Sequence, residues 1–487
     1  MYDVIIIGCG IVGASTAYEL SKYQLKTLVL EAEDDISLGQ TKANSAIMHA
    51  GYDPEPGTLM AKLNVEGAEL CKELCQKLSV HYHQIGSLVV AFAEDELPTL
   101  QELLERGQQN GVKDLRIIDQ AELREMEPNL SQEALAALWA PTAAVINPWE
   151  LCIALGETAV VNGVELSLNQ RVQNIEAITG GYRITTETDS FETRFVFNAA
   201  GVHSDLIHNL VAEPSFKITP NRGEYFLLDK SEGNVVNTVV FQCPSKVGKG
   251  VLVSPTVYGN LIVGPNSEAV PTEELDTGLD TANTAAGMEQ VAELAKRSVP
   301  DLNLRQSIRN FSGVRANSTA SDFIIQEAAP GFIDLAGIKS PGLTSAPAIA
   351  KYGINLLEEA VGEQFVEKAG FIDERQHVIF QNLTLAEKNQ LIKEQPDYGR
   401  VICRCETITE GEIRAAAHSP IPPVSVDGIK RRCNTGMGRC QGGFCGPRVV
   451  EILADELGVS PLDIYQDRRG SFILEAATKE AEVTEHA

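Results

Sequence analysis

The start of the chain restricts its fold more than any other stretch. A short apolar run from Tyr2 to Ile7 meets Gly8, Gly10 and Gly13 in the spacing GxGxxG, and Ile11 to Lys22 continues with helical apolar spacing. A second apolar run, Lys26 to Leu30, ends at Glu31, 23 residues after Gly8. Strand, turn, helix and strand in that order predict an α/β domain of Rossmann type built around a dinucleotide. The first glycine makes the tight turn, the second lets backbone amides approach a pyrophosphate, and the third lets helix pack closely on strand. The helix N-terminus stabilises negative charge, and Glu31 can accept hydrogen bonds from a ribose hydroxyl. FAD and NAD both satisfy this pattern. Two features favour FAD: the glycines begin at residue 8, and Phe195 to Gly201 (FVFNAAG) reads as a strand running into a glycine turn. No second GxGxxG follows a strand, so a separate NAD(P) site is not expected.

At 487 residues, 44% hydrophobic and 22% charged, the chain predicts two to four globular domains. Its 67 acidic against 40 basic residues, a formal net charge of −27, argue against a nucleic-acid partner, which needs a basic face. The N-terminus lacks the basic region of a signal peptide, and no run of roughly 18 apolar residues occurs. A cytoplasmic protein without a transmembrane segment is therefore expected, with peripheral membrane contact left open. Ten cysteines in such a chain read as reduced thiols or metal ligands.

Four further segments, NSAIMHAG (Asn44 to Gly51), NRGEYF (Asn221 to Phe226), FSGVRA (Phe311 to Ala316) and SPGLTSAP (Ser340 to Pro347), resemble the D-amino-acid-oxidase-like flavoprotein superfamily. Within it the chain is most similar to glycerol-3-phosphate dehydrogenases and L-2-hydroxyglutarate oxidases. The resemblance covers roughly the first 370 residues and implies FAD. It also implies a FAD-binding domain over 1–85, 146–215 and 311–367, interleaved with an α+β substrate domain over 86–145 and 216–310. The residues expected at the cofactor are Gly8, Gly10, Gly13, Glu31, Asn44, Ser45, Val172, Ala200, Gly201, Gly313, Gly342, Leu343 and Thr344.

The segment after the second strand runs beneath the flavin in such enzymes, which puts His49 near the reacting ring. An imidazole with a pKa near 7 can take a hydroxyl proton while the carbon-bound hydrogen leaves as hydride; a histidine that only hydrogen-bonds cofactor or backbone is the alternative. Arg222 and Arg315 stand in mostly apolar neighbourhoods and need anionic company. A carboxylate or phosphate substrate provides it through bidentate hydrogen bonds, as does a structural Asp or Glu. His49, Arg315 and Arg222 are the catalytic candidates, with Tyr52, Tyr225 and Lys339 as weaker members of the same pocket. Cys71 and Cys75, four apart among leucines, read as buried packing, and Cys9, Cys152 and Cys243 as isolated thiols.

Near the C-terminus, Cys403 and Cys405 are followed by Cys440 and Cys445. Four thiols in two close pairs match the ligand count of a [2Fe-2S] cluster or of a structural zinc site. Thr409 and Glu412 predict a capping box after the first pair, and Pro447 starts a helix running to Leu457 after the second. CRCE with GMGRCQGGFC resembles the bacterioferritin-associated-ferredoxin-like domain found at the end of anaerobic glycerol-3-phosphate dehydrogenase subunits. The resemblance implies a small helical [2Fe-2S] domain over 400–467, and the adjoining flavin gives an electron carrier a purpose. Cys433 lies outside both pairs and reads as a bystander. Residues 368–399, polar and read as helix and loop, are expected as a linker, and 468–487 as a mobile acidic tail.

These readings combine into a FAD-dependent dehydrogenase for a small anionic secondary alcohol, glycerol 3-phosphate first. Electrons would pass through [2Fe-2S] to an electron-accepting protein subunit. L-2-hydroxyglutarate and amino or imino acids are the alternative substrates. An electron-transfer or scaffold subunit without its own substrate is the alternative of another class.

Overall fold

The computed structural model describes residues 1–244, 250–270, 281–375 and 377–478. Its internal contacts divide the chain into two units: Met1–Ala32 with Ile36–Gln376, and Glu33–Asp35 with His377–Ala487.

The first unit is built on two large sheets. In one, strand Tyr2–Ile7 lies parallel between Thr27–Leu30 and Ser190–Asn198, with Glu165–Ser167 outside the former and Phe332–Ala336 beside the latter. Val4, Ile5 and Ile6 are completely buried, which is why this stretch reads as a continuous apolar run and does not alternate. Val172–Ile178 and Gly181–Thr186 extend the sheet as an antiparallel hairpin on Ser190–Asn198. Helices Ile11–Leu20, Pro148–Val161 and Gly342–Val361 supply its packing partners.

The second sheet has nine strands among the described residues and draws on Ser87–Ala91, Arg116–Asp119, Ala136–Ala140 and the strands between Asn221 and Arg315. Helix Ala285–Ser298 packs its Val291 and Ala295 into a core with Leu88, Val240 and Leu261. Strand Ser307–Arg315 pairs along its length with Asn221–Leu228, in a register that sets Asn221 opposite Arg315 and Gly223 opposite Gly313. Residues 311–315, expected with the nucleotide-binding part, therefore belong to the second sheet. The antiparallel ladder holds the strand as one piece, and only its end reaches the neighbouring lobe.

The segment expected as a linker is folded. Lys368 donates its backbone N–H to Lys22 O, Asp373 pairs with Lys77 and Arg375 with Glu157, so residues 368–375 are strapped onto the first unit. Thr384 and Glu387 form a capping box opening helix Leu385–Glu394, and Phe380 donates to Glu412 Oε1, which folds this part with the second unit. The expected helix and loop are present, and the polar groups of the segment are spent on specific partners.

The second unit packs helices Glu410–Ala417, Val426–Cys433 and Gly446–Leu457 around Ile413, Ile429 and Leu453. A two-strand hairpin, Val401–Cys403 with Ile408–Thr409, closes one side. The expected tail begins as structure: Gln466 N–H donates to Ser471 O and Phe472 bridges Tyr465. Residues 479–487 of that tail lie outside the described residues. Among the described residues no helix is long and apolar enough to cross a membrane.

Candidate active site and cysteine centre

Gly8 and Gly13 cannot be replaced without collision. A Cβ on Gly13 would stand 1.9 Å from Gly8 O, and one on Gly8, at φ +94°, would stand 2.7 Å from Ala199 O. This close approach seats the first turn of helix Ile11–Leu20 against the ends of two parallel strands. Helix geometry leaves its leading amides directed outward, the arrangement that binds a pyrophosphate. Glu31 Oε2 accepts from Cys9 N at 2.7 Å, and Thr41 Oγ1 accepts from Ile11 N at 2.9 Å, so both side chains brace the turn. Ala200 and Gly201 close the far side, with open space around Gly201. Val172 sits half-buried at the start of its strand, in the apolar cluster behind Ile7 and Leu30. An open cradle of glycines at a helix start, with an acid at the next strand end, fits a dinucleotide.

The segment 40–51 lies between this cradle and the second sheet. Asn44 spends its side chain within its own loop, donating to Thr41 O at 2.8 Å and accepting from Ala46 N at 2.8 Å. It shapes the loop in which Ala46 takes φ +60°. Ser45 Oγ meets Tyr225 OH at 3.2 Å. His49 is fixed on both main-chain sides: its N–H donates to Thr344 Oγ1 at 2.9 Å, and its carbonyl accepts from Asn64 Nδ2 at 2.8 Å. The ring stacks on Phe241 at 6.0 Å, and Nε2 lies 3.2 Å from Ser340 Oγ. An open cleft lined by His49, Gly51, Asn64, Ser340 and Pro341 begins there. A half-buried imidazole with a fixed backbone and a hydroxyl at Nε2 can take up and hand on a proton.

Thr344, expected at the cofactor, is completely buried and serves as a tie: besides holding His49, its carbonyl accepts from the Cys71 thiol. Gly342 opens helix Gly342–Val361, where a Cβ would meet Ile338 Cγ2 at 2.5 Å, and Leu343 beside it is half-exposed. Burial pushes the Cys71 thiol up to about 12, which agrees with a packing role. Tyr52 is buried in an apolar cluster with Leu100 and Leu103, though it also reaches the cleft wall. Lys339 is half-buried in the loop ahead of Ser340.

Strand alternation separates the two arginines. Residues opposite each other in an antiparallel ladder share a face, so Asn221, Gly223, Tyr225, Phe311, Gly313 and Arg315 line one side. That side faces segment 40–51: a Cβ on Gly313 would stand 1.9 Å from Ala43 O, and Tyr225 stacks on Phe311 at 4.8 Å. Arg315 donates to Asn221 Oδ1 at 2.9 Å, and Gly223 leaves room for its guanidinium, 2.5 Å from where a Cβ would be. Arg222 lies on the opposite face, 7% exposed and paired with Glu268 at 2.8 Å. The structure therefore does not bring Arg222 to Arg315, and the structural acid foreseen as its alternative company is Glu268. Sequence reading missed Gln40, Asn221, Ser340 and Thr41. Gln40 joins Ala316 N to Ile338 O and so ties the Arg315 strand end to the loop before Ser340. Asn221 carried a readable signal, since period-two alternation from Tyr225 puts it on the Arg315 side and strand glycines mark close approach.

In the second unit the four cysteines form two pairs. Cys405 and Cys440 have sulfurs 3.8 Å apart, while Cys403 and Cys445 share a thiol hydrogen bond. The Cys445 thiol and the amides of Gly436, Glu406 and Cys405 hold Cys403 down at about 5, against the opposing effect of burial. The Cys403 contact pushes Cys445 up. The Phe444 amide, with Gly442, lowers Cys440. Gly438 is required between the loops, since a Cβ there would lie 2.2 Å from Cys405 Cβ. Among the described residues no three His, Cys, Asp or Glu side chains converge on one point as a mononuclear centre needs. Two thiolate pairs, each served by backbone amides, suit a binuclear cluster in which each iron takes two cysteines. Cys433 is buried, pushed up to about 12 by burial, and donates to Ile429 O inside its own helix.

A family profile described as FAD dependent oxidoreductase matches residues 3–356, and one described as BFD-like [2Fe-2S] binding domain matches residues 401–455. A glycerol 3-phosphate dehydrogenase of Caloramator mitchellensis is 50% identical over 482 residues, covering 98% of this chain and 99% of the relative. A mitochondrial L-2-hydroxyglutarate dehydrogenase of Caenorhabditis elegans is 31% identical over 72% of this chain and 92% of the relative. The FAD-bound L-α-glycerophosphate oxidase of Mycoplasma pneumoniae superposes with a TM-score of 0.72 at 33% identity, over 77% of this chain and 98% of that one.

Proposed function

The chain belongs to the FAD-dependent oxidoreductase family and ends in a BFD-like [2Fe-2S] domain, and from that premise we propose that it is a glycerol-3-phosphate dehydrogenase that sends its electrons out through the cluster. The observation that carries this reading is the pattern of coverage. The glycerophosphate oxidase is spanned almost end to end by about three quarters of this chain, whereas the glycerol 3-phosphate dehydrogenase is matched over both units. Between these two glycerol phosphate enzymes, the cysteine domain goes with the dehydrogenase. An oxidase hands electrons to oxygen at the flavin and has no need of a one-electron outlet.

Bound FAD supplies the acceptor for the hydride that leaves C2 of glycerol 3-phosphate, giving dihydroxyacetone phosphate. Gly8, Gly10 and Gly13 hold its pyrophosphate and Glu31 its ribose edge. Arg315, steadied by Asn221, binds the substrate phosphate through its guanidinium fork. His49 takes the C2 hydroxyl proton at Nε2, with Ser340 as the next stop toward solvent. Cys403, Cys405, Cys440 and Cys445 would hold the [2Fe-2S] cluster, which would supply one-electron chemistry toward a protein acceptor. None of the ten cysteines forms a disulfide, which suits a cytoplasmic setting.

Anaerobic titration tests the assignment. Glycerol 3-phosphate is expected to bleach the flavin and then the cluster absorbance, and L-2-hydroxyglutarate to leave both oxidised. Bleaching by L-2-hydroxyglutarate alone would transfer the assignment to that 2-hydroxy acid. A His49→Ala variant that retains FAD is expected to bleach roughly 100-fold more slowly or worse, the scale of a lost general base.

A further inference from the structure

The two cysteine pairs differ in exposure. Cys403 and Cys445 are 1% and 3% exposed, whereas Cys405 is exposed and Cys440 half-exposed. A cluster held by all four would have one edge in the core and the other at the surface. Around the surface edge the chemistry reverses that of the whole molecule. In the loops 403–407 and 435–448 the charged residues are Arg404, Arg439, Arg448 and Glu406. The three arginines are exposed; Glu406 is 8% exposed and turned in toward Gly438, 2.9 Å from where a Cβ would stand. Phe444, between Cys440 and Cys445, is 89% exposed, the highest value among the exposed large apolar side chains. Arg448 keeps Glu451 as a rim partner.

Resting on the dehydrogenase reading, we infer that Phe444 with Arg404 and Arg439 forms the docking surface for a small acidic electron-carrier protein, which receives electrons over the Cys405/Cys440 edge. Aromatic and arginine side chains are the usual anchors of protein interfaces, and an arginine ring selects an acidic partner. A chain of net charge −27 would repel an acidic body at long range. Screening within about 8 Å at physiological ionic strength, however, leaves a compact partner facing only the local ring. An anionic bilayer would meet a far larger part of the acidic surface, so a protein fits this face better than a membrane.

The test uses the full-length holoprotein, reduced anaerobically with glycerol 3-phosphate, and cytochrome b5 as an acidic one-electron probe. Wild-type protein should bind and reduce the probe with a rate that falls as salt rises. An Arg404→Glu/Arg439→Glu double variant should lose roughly tenfold or more of the second-order rate at low salt, along with the salt dependence. Phe444→Ser, which leaves every charge and the Phe444 amide in place, should weaken probe binding by a similar factor while the cluster signal in electron paramagnetic resonance stays unchanged; it carries the test if the double variant loses its cluster. Unaltered binding in the variants overturns the inference. Loss of substrate-driven cluster reduction with probe binding intact also overturns it, because the face would then serve transfer within the chain. Arginine-dependent binding to phosphatidylserine vesicles without binding to cytochrome b5 overturns it in favour of a membrane. If glycerol 3-phosphate fails to reduce the cluster at all, dithionite-reduced protein runs the same comparison, so failure of the substrate assignment remains distinct.

Discussion

The nucleotide cradle and the cysteine loops both gather backbone amides around an anionic group at a helix start, but they are stiffened in different ways. In the cradle the amides are fixed by packing: Gly13 rests on Gly8, Gly8 on Ala199, and the strands beneath are completely buried. In the cysteine loops the amides of Gly436, Gly442 and Phe444 converge on sulfur from turns in which Thr407, Asn434 and Gln441 take positive φ. The first site is shaped by its sheet before any ligand arrives. The second is shaped around its four sulfurs.

That contrast, and the one between the two faces of the ladder, is broken or sharpened by five substitutions. The largest effect is expected from Cys445→Ser, which should abolish the iron-sulfur absorbance and bound iron while FAD content and substrate bleaching persist; iron retained at full occupancy would break the comparison. Next comes Gly13→Ala. Its methyl would lie 1.9 Å from Gly8 O, so we expect a loss of about 3 kcal/mol or more and of bound FAD, read by denaturant unfolding and flavin absorbance. A variant that keeps FAD would show the cradle to be more pliable than its packing implies.

Within the first unit, Arg315→Ala should lower kcat/KM for glycerol 3-phosphate by roughly 100-fold through lost anion binding, whereas Arg222→Ala should change it by less than about threefold. Equal losses would mean that the two faces of the ladder are not functionally distinct. The smallest effect concerns His81, whose ring meets Glu150 at 3.0 Å and Tyr258 at 4.9 Å between ring centroids. Burial lowers its pKa, but the Glu150 carboxylate outweighs burial and leaves it above 6.5. A histidine with a raised folded-state pKa contributes stability fully below about pH 6.5 and loses it as pH climbs through the raised value. His81→Gln should therefore flatten the decline of Tm above neutrality without altering FAD binding.

Several parts were legible because they depend on local spacing. The GxGxxG turn and the capping box at Thr409 declare themselves within a few residues, and the structure contains both; the four cysteines were also legible, but their sulfurs pair across the two loops, Cys405 with Cys440 and Cys403 with Cys445. The partners of the linker and of the start of the tail were not legible, because polar residues give no sign of whether they meet water or a distant part of the chain. Asp373 finds Lys77 and Arg375 finds Glu157 only after the chain has folded.

The arginines mark the boundary. Sequence alone determined that Arg222 and Arg315, in mostly apolar surroundings, each require an anion, since a bare guanidinium is costly to bury. Only the tertiary structure decided which partners each meets. Register and alternation turned Arg222 to Glu268 on one face and Arg315 to the segment bearing Ser45 on the other, because side chains in a ladder take their direction from pairing across strands far apart in the chain.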